Sequence, residues 1–170
     1  MKVLTGLIFG LLSFSLMAVE VGDSAPCVYL DTVVSGVGTE SVEQCVTDKS
    51  EGHQFTILEF MSITCGACIK NLPKISALAV ELGDHVTTKM VSIDRNVEAV
   101  NSFLETNESL ITFLFAFDNE RVAKTAYSIR YTPTMFILND EDEVIYKHIG
   151  TLTEEHIAEI KELVAVEDAQ

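Results

Sequence analysis

Positive charge is scarce in this 170-residue chain: 11 lysines and arginines stand against 26 acidic residues, for a net charge of −15. Such a field repels phosphate backbones and anionic lipid, so nucleic acid is excluded as a partner. Tryptophan is absent, and proline occurs only three times. There is no internal repeat, no low-complexity tract and no linker rich in Pro, Gly or Ser, so nothing divides the chain into parts. One long apolar run occurs at the N-terminus, from Val3 to Leu16, behind Lys2 and ahead of Met17-Ala18. It is too short for a comfortable membrane span and has the form of a secretory signal peptide, an uncleaved anchor being the alternative. Residues 1–18 are therefore expected to be the export signal, and residues 19–170 one domain with a single core. No cysteine follows the apolar run closely, Cys27 lying behind Pro26, so lipid attachment there is not expected.

Cysteine is also sparse, with four in the chain, and in an exported protein four cysteines read as two pairs. Cys65-Gly66-Ala67-Cys68 forms one pair by spacing. Positions i and i+3 share one side of a helical turn, so two sulfurs placed there can bond. A thiol at a helix N-terminus is also held near unpaired N–H groups that favour the thiolate. Cys27 and Cys45 remain; four cysteines allow three connectivities, and a structural Cys27–Cys45 bridge is the pairing expected. It would close a loop of roughly twenty residues and restrict the unfolded chain by about 3 kcal/mol in the chain-entropy model. A second ligand pair at metal-like spacing is missing, which argues against a zinc site; no metal and no cofactor are expected.

The pattern around the CxxC alternates. Phe55 to Met61 reads as a strand and residues 66–82 as a helix, with Ile69, Leu72, Ile75, Leu78 and Leu82 on its apolar face. Pro73 inside that helix removes a backbone donor and is expected to kink it. A strand from Val86 to Ile93, a helix from Asn96 to Glu105, a buried strand from Leu110 to Phe117 and a short helix from Glu120 to Tyr127 follow. Two strands, Thr134 to Leu138 and Glu143 to Ile149, flank the turn Asn139-Asp140-Glu141-Asp142. Gly150 ends the second, and Thr151 or Thr153 can cap a last helix reaching about Val166.

With a CxxC at a strand–helix junction and Ala126-Tyr127-Ser128-Ile129-Arg130-Tyr131-Thr132-Pro133-Thr134 ahead of the closing hairpin, the chain resembles the thioredoxin superfamily over residues 55 to 165. The extra room between Asp94 and Ala126, and the opening Val21-Gly22-Asp23-Ser24-Ala25-Pro26, resemble its exported TlpA/ResA-type members. The resemblance implies an α/β fold: a thioredoxin-like three-layer α/β/α sandwich with a central mixed sheet and an inserted helix–strand unit. It implies a protein-disulfide oxidoreductase in which Cys65 is the nucleophile and Cys68 the resolving thiol. Pro133 is expected to be cis and close to Cys65, exposing the Thr132 backbone to a substrate strand. Thr64, Gly66 and Ala67 would complete the substrate-binding surface. Glu59 stands where thioredoxins keep a buried acid and would take the proton from Cys68.

The departures are specific. Thr64 replaces the usual tryptophan before the first cysteine, and Asn71 stands where TlpA-like proteins often carry glutamate. The lysine that thioredoxins place near the acid aligns with Met90; Lys89 is one position off and would point to the opposite face. The partners implied are cysteine-containing exported proteins and a membrane-bound electron donor or acceptor, in the periplasm, with this protein acting as the reductant. Two alternatives stand beside this. One is a redoxin-type peroxidase, for which Ser62 suits the motif and Leu58 does not. The other is a copper-binding assembly factor, which would need one of His53, His85, His148 or His156 at the CxxC.

Overall fold

The structure, a computed structural model, describes residues 18–34 and 41–167. All but the last residue of the expected export signal lies outside the described residues. The strands, in chain order, are β1 (Tyr29–Val34), β2 (Ser41–Cys45), β3 (Phe55–Met61), β4 (Val86–Ser92), β5 (Leu114–Phe117), β6 (Thr134–Leu138) and β7 (Val144–Ile149). The helices are α1 (Gly66–Leu82), α2 (Val97–Thr106), α3 (Val122–Ala126) and α4 (Glu154–Glu167). One mixed seven-stranded sheet has the order β2-β1-β5-β4-β3-β6-β7. β3 lies parallel to β4 and antiparallel to β6, and β4 is parallel to β5.

β3 has neighbours on both edges and every one of its residues is buried. A strand with helices on both faces must be apolar on both, which is why it reads as a continuous run rather than an alternation. Ile57 and Met61 face the cluster formed with α1 and α4, through Leu72, Ile75, Leu78, Leu152, Ile160 and Val164. Leu58 and Phe60 face the other cluster, with Ala123 of α3, Tyr127, and the N-terminal residues Val19, Ala25 and Leu30. Glu59 shares its parity with Ile57 and Met61, so its carboxylate belongs to the α1 side. Burying a side chain such as Leu72 contributes about 1.5–3 kcal/mol, and truncating it to alanine costs about 2–5 kcal/mol.

Several sequence expectations need correction. Ile69 lies beside the buried stripe of α1 rather than on it and is 39% exposed, its place being taken by Cys68 and Asn71. The third apolar run is a strand only from Leu114. Before that, Asn107 closes α2 and its carbonyl accepts from the N–H groups of Leu110 and Ile111, so Ile111 and Phe113 are buried from a loop. An apolar run reports burial, and burial does not distinguish a strand from a covered loop. α1 keeps its expected bounds, with Pro73 inside it and that side chain facing solvent. The pairing of β1 with β2 and β5, which adds two strands beyond β5, had no counterpart in the sequence reading.

Candidate active site

Cys65 is the residue that caps α1. Its backbone is extended (φ −85°, ψ 108°), and its Sγ accepts the N–H of Cys68 at 3.3 Å, where a Ser or Asp oxygen would ordinarily sit. The turn ahead of it is tied down by Asp94, just beyond β4. That carboxylate accepts the Ile63 N–H and the Ser62 and Ser92 hydroxyls, each at 2.8 Å. The parallel register makes this local, since Met61 pairs with Ser92 and the two strand ends leave the sheet together. Ser62 is engaged by Asp94 and by the Thr64 hydroxyl.

From the opposite side comes the segment before β6. The Thr132–Pro133 peptide is cis, and the Cys65 thiol donates to the Thr132 carbonyl at 3.3 Å. Thr134 Oγ1 donates to Tyr131 O, closing the loop, and Tyr131 is 68% exposed. Thr64 and Gly66 are exposed and Ala67 half-buried, so the surface before and between the cysteines is open.

The two thiols differ in kind. Burial pushes the Cys65 thiol up, but hydrogen bonds from the Cys68 thiol, the Cys68 N–H, the Thr132 side chain and the Ala67 N–H outweigh it and hold Cys65 below the ordinary range. Cys68 is fully buried, and burial together with the Cys65 sulfur pushes it up to about 12. One sulfur is therefore accessible and readily ionised, while the other keeps its proton until something removes it.

Glu59 is 1% exposed. Burial raises its carboxyl to about 8, the Asn71 hydrogen bond opposes that, and the charge on Cys65 adds to it. Its Oε2 accepts from Asn71 Nδ2 at 3.5 Å, and Oε1 has no partner. Lys89 does point the other way: Glu59 pairs with Met90, and Lys89 with Leu58. Fully buried, Lys89 donates to the carbonyls of Cys45 at 2.7 Å and Asp48 at 3.5 Å.

Cys27 and Cys45 are joined by a disulfide with Cα atoms 5.4 Å apart, Cys45 closing the edge strand β2 while the CxxC follows the interior strand β3. Cys65 and Cys68 are free thiols. The histidines have other neighbours: His53 meets Thr87, and His148 packs against His156 with the rings tilted and their centres 4.0 Å apart. Among the described residues no three His, Cys, Asp or Glu side chains cluster as metal ligands. Asp94 and Asn71 are the site residues that sequence reasoning missed as participants. An acid two residues past the strand next to β3 was a usable signal for Asp94; for Asn71 the signal was an amide on an otherwise apolar helix stripe.

Comparison with known proteins agrees with this geometry. The profile of the Redoxin family matches residues 20–166. The chain is 28% identical over 149 residues to sporulation thiol-disulfide oxidoreductase A of Bacillus subtilis, covering 84% of this chain and 82% of that protein. The crystal structure of StoA from Bacillus subtilis superposes with a TM-score of 0.63 at 27% identity, over 79% of this chain and 96% of that one. That of a candidate thiol:disulfide interchange protein DsbE from Chlorobium tepidum gives 0.70 at 21% identity, over 87% and 98%. With a CxxC at the start of α1 and a cis-proline loop against it, this chain is a thioredoxin-fold member of the Redoxin family.

Proposed function

We propose that the protein is an exported thiol–disulfide oxidoreductase whose Cys65–Cys68 pair reduces disulfides of other exported proteins. The observation that carries the reading is the asymmetry of the two thiols across one helical turn: a half-exposed, readily ionised Cys65 in front of a buried, proton-retaining Cys68. The Cys65 thiolate attacks one sulfur of a substrate disulfide; a mixed disulfide forms and the second substrate sulfur leaves as a thiolate. Cys68 then gives its proton to Glu59 and attacks Cys65 Sγ. The mixed disulfide breaks, the first substrate sulfur leaves, and Cys65–Cys68 becomes the disulfide. Two electrons have passed from the protein dithiol to the substrate.

Electrostatics times the second step. While Cys65 is a thiolate, its charge raises both Glu59 and Cys68. Once Cys65 is bonded to substrate that charge is gone, so Glu59 moves toward the carboxylate and Cys68 toward release of its proton. The acceptor is present as carboxylate, and the acid loosens its hold on the proton, at the point where transfer is needed. The cis-proline loop supports substrate docking: a substrate strand beside Thr132 would bring its sulfur to Cys65, with Thr64, Gly66, Ala67 and Pro133 around it. The Cys27–Cys45 disulfide serves as a structural bridge. Export through residues 1–18, a periplasmic site of action and a membrane-bound protein that restores the dithiol complete the proposal.

The test is trapping. Cys68→Ser should accumulate a mixed disulfide with a disulfide-containing protein through Cys65, visible as a non-reducing gel shift. Wild type should instead release reduced substrate, and equilibration with glutathione should give a reducing potential. No trapped species with Cys68→Ser removes the exchange reading; a strongly oxidising potential reverses the direction.

A further inference from the structure

Asn71 is buried without exposure on α1, one turn beyond Cys68, on the same helix stripe as Leu72 and Ile75. An amide there must have all its groups engaged, since an unpaired buried polar group costs about 1–3 kcal/mol. Its Oδ1 accepts the Leu152 N–H at 2.9 Å, which fixes which way the amide faces. Nδ2 is thereby left to donate, to Gly150 O at 3.2 Å and to Glu59 Oε2 at 3.5 Å. The segment it grips is held twice more. Lys74 Nζ, three residues along α1, donates to Leu152 O at 2.6 Å, and Gly150 N donates to Pro133 O at 2.9 Å. Gly150 has φ 108°, a conformation that favours glycine, so its carbonyl is presented to Asn71 by a turn other residues adopt only with strain.

We propose that Asn71 is a positioning residue of the exchange site, holding the Glu59 carboxylate as an acceptor while fastening it to the segment that is bonded to Pro133. The inference rests on the reading of Glu59 as the proton acceptor for Cys68. Its chemistry follows from the fixed amide: with Oδ1 committed to Leu152, the group facing Glu59 is a donor, and a donor stabilises the carboxylate over the acid. Burial drives Glu59 toward the neutral form, and Asn71 is the opposing influence. An aspartate in its place would still accept from Leu152 but would offer Glu59 no N–H.

Carboxyl 13C titration of Glu59 in the reduced full-length protein, with single-turnover resolution of a mixed disulfide between Cys65 and a small disulfide-containing protein, tests this. Asn71→Asp and Asn71→Leu should move the Glu59 midpoint upward by about one pH unit, slowing resolution about tenfold at pH 7 with rates converging at alkaline pH. In a Glu59→Gln background the same substitutions should change resolution less than about twofold, because Asn71 then has no ionisable partner to act through. If the variants fold poorly, wild type suffices: the Asn71 side-chain NH2 resonances should titrate with the Glu59 midpoint and stop doing so in Glu59→Gln. An unmoved Glu59 midpoint, Asn71 resonances that ignore it, or equal slowing with and without Glu59 overturns the proposal. If Glu59→Gln itself leaves resolution unchanged, the proton-acceptor reading falls and takes the proposal with it; the exchange reading, tested by trapping at Cys65, stands apart.

Discussion

Two buried charges on neighbouring strands, Glu59 and Lys89, are nearly adjacent in register yet belong to different worlds. Glu59 pairs with Met90 and faces α1; Lys89 pairs with Leu58 and faces away. Burial acts on both in the same sense, toward the neutral form, raising Glu59 to about 8 and lowering Lys89 to about 8 against the opposing pull of Asp48. What separates them is their partners. Lys89 spends its hydrogen bonds on the carbonyls of Cys45 and Asp48, and so braces the chain next to the Cys27–Cys45 disulfide. Glu59 has a single hydrogen bond from Asn71 and one oxygen left open. A buried charge spent on backbone carbonyls is a strut, whereas a carboxyl with an unengaged oxygen suits the proton-acceptor role proposed for Glu59. One residue of register decides which is which.

The largest effect sets the two cysteine pairs apart. Cys65→Ser should abolish reduction of a protein disulfide altogether. Removing the other pair with Cys27→Ala/Cys45→Ala should leave the turnover rate within about twofold. Activity lost in the double variant would place the second pair in the exchange path.

Next comes the pH dependence of stability, where the two buried groups have opposite signs. Between about 4.5 and 8 the native state holds a proton on Glu59 that the unfolded chain has released, so this group makes stability fall as pH rises. Between about 8 and 10.5 the unfolded chain holds a proton that native Lys89 has released, so that group makes stability rise. Urea denaturation should show Glu59→Gln gaining on wild type from pH 4.5 to 8, by an amount on the order of 4 kcal/mol. Lys89→Met should lose ground to wild type between about pH 8 and 10.5, by about 3 kcal/mol. Parallel pH profiles for variant and wild type would show that neither group is buried as described.

Comparable in size, loss of the Cys27–Cys45 bridge, which spans 18 residues, should lower stability by about 3 kcal/mol in the same denaturation experiment. At the foot of the scale, Lys89→Met should change mixed-disulfide resolution at pH 7 by less than about twofold, since its charge lies on the face away from α1. A slowdown comparable to that of Glu59→Gln would erase the distinction between strut and acceptor.

Much of this contrast is legible in the sequence because it depends on short range. The bounds of β3 follow from a short apolar run, those of α1 from a period of 3.6 that starts at the CxxC, and the parity that turns Lys89 from Glu59 from a period of two. The cis bond before Pro133 followed from resemblance and is present. What did not follow depends on contacts far along the chain. Asn71 meets Gly150 and Leu152, 79 and 81 residues away, and no local pattern marks such a meeting. Ile69 was misplaced because its neighbours Cys68 and Asn71, polar by type, take the buried positions it was given. The β1–β2 hairpin adds a sheet edge through pairing to β5, some 80 residues on, and its strands carry exposed Tyr29 and Val42 that blur an inward face.

The most direct measurement is single-turnover resolution of the Cys65 mixed disulfide between pH 6 and 9, in wild type and Glu59→Gln. Wild type should accelerate with pH to a plateau at or below about pH 8, as Glu59 ionises once the Cys65 charge is gone. Glu59→Gln should run about 100-fold slower at pH 7, the lower end of what a positioned general base contributes. Superimposable profiles for the two proteins would contradict the account: Cys68 would then lose its proton without Glu59, and the buried carboxylate would be a passenger in the fold.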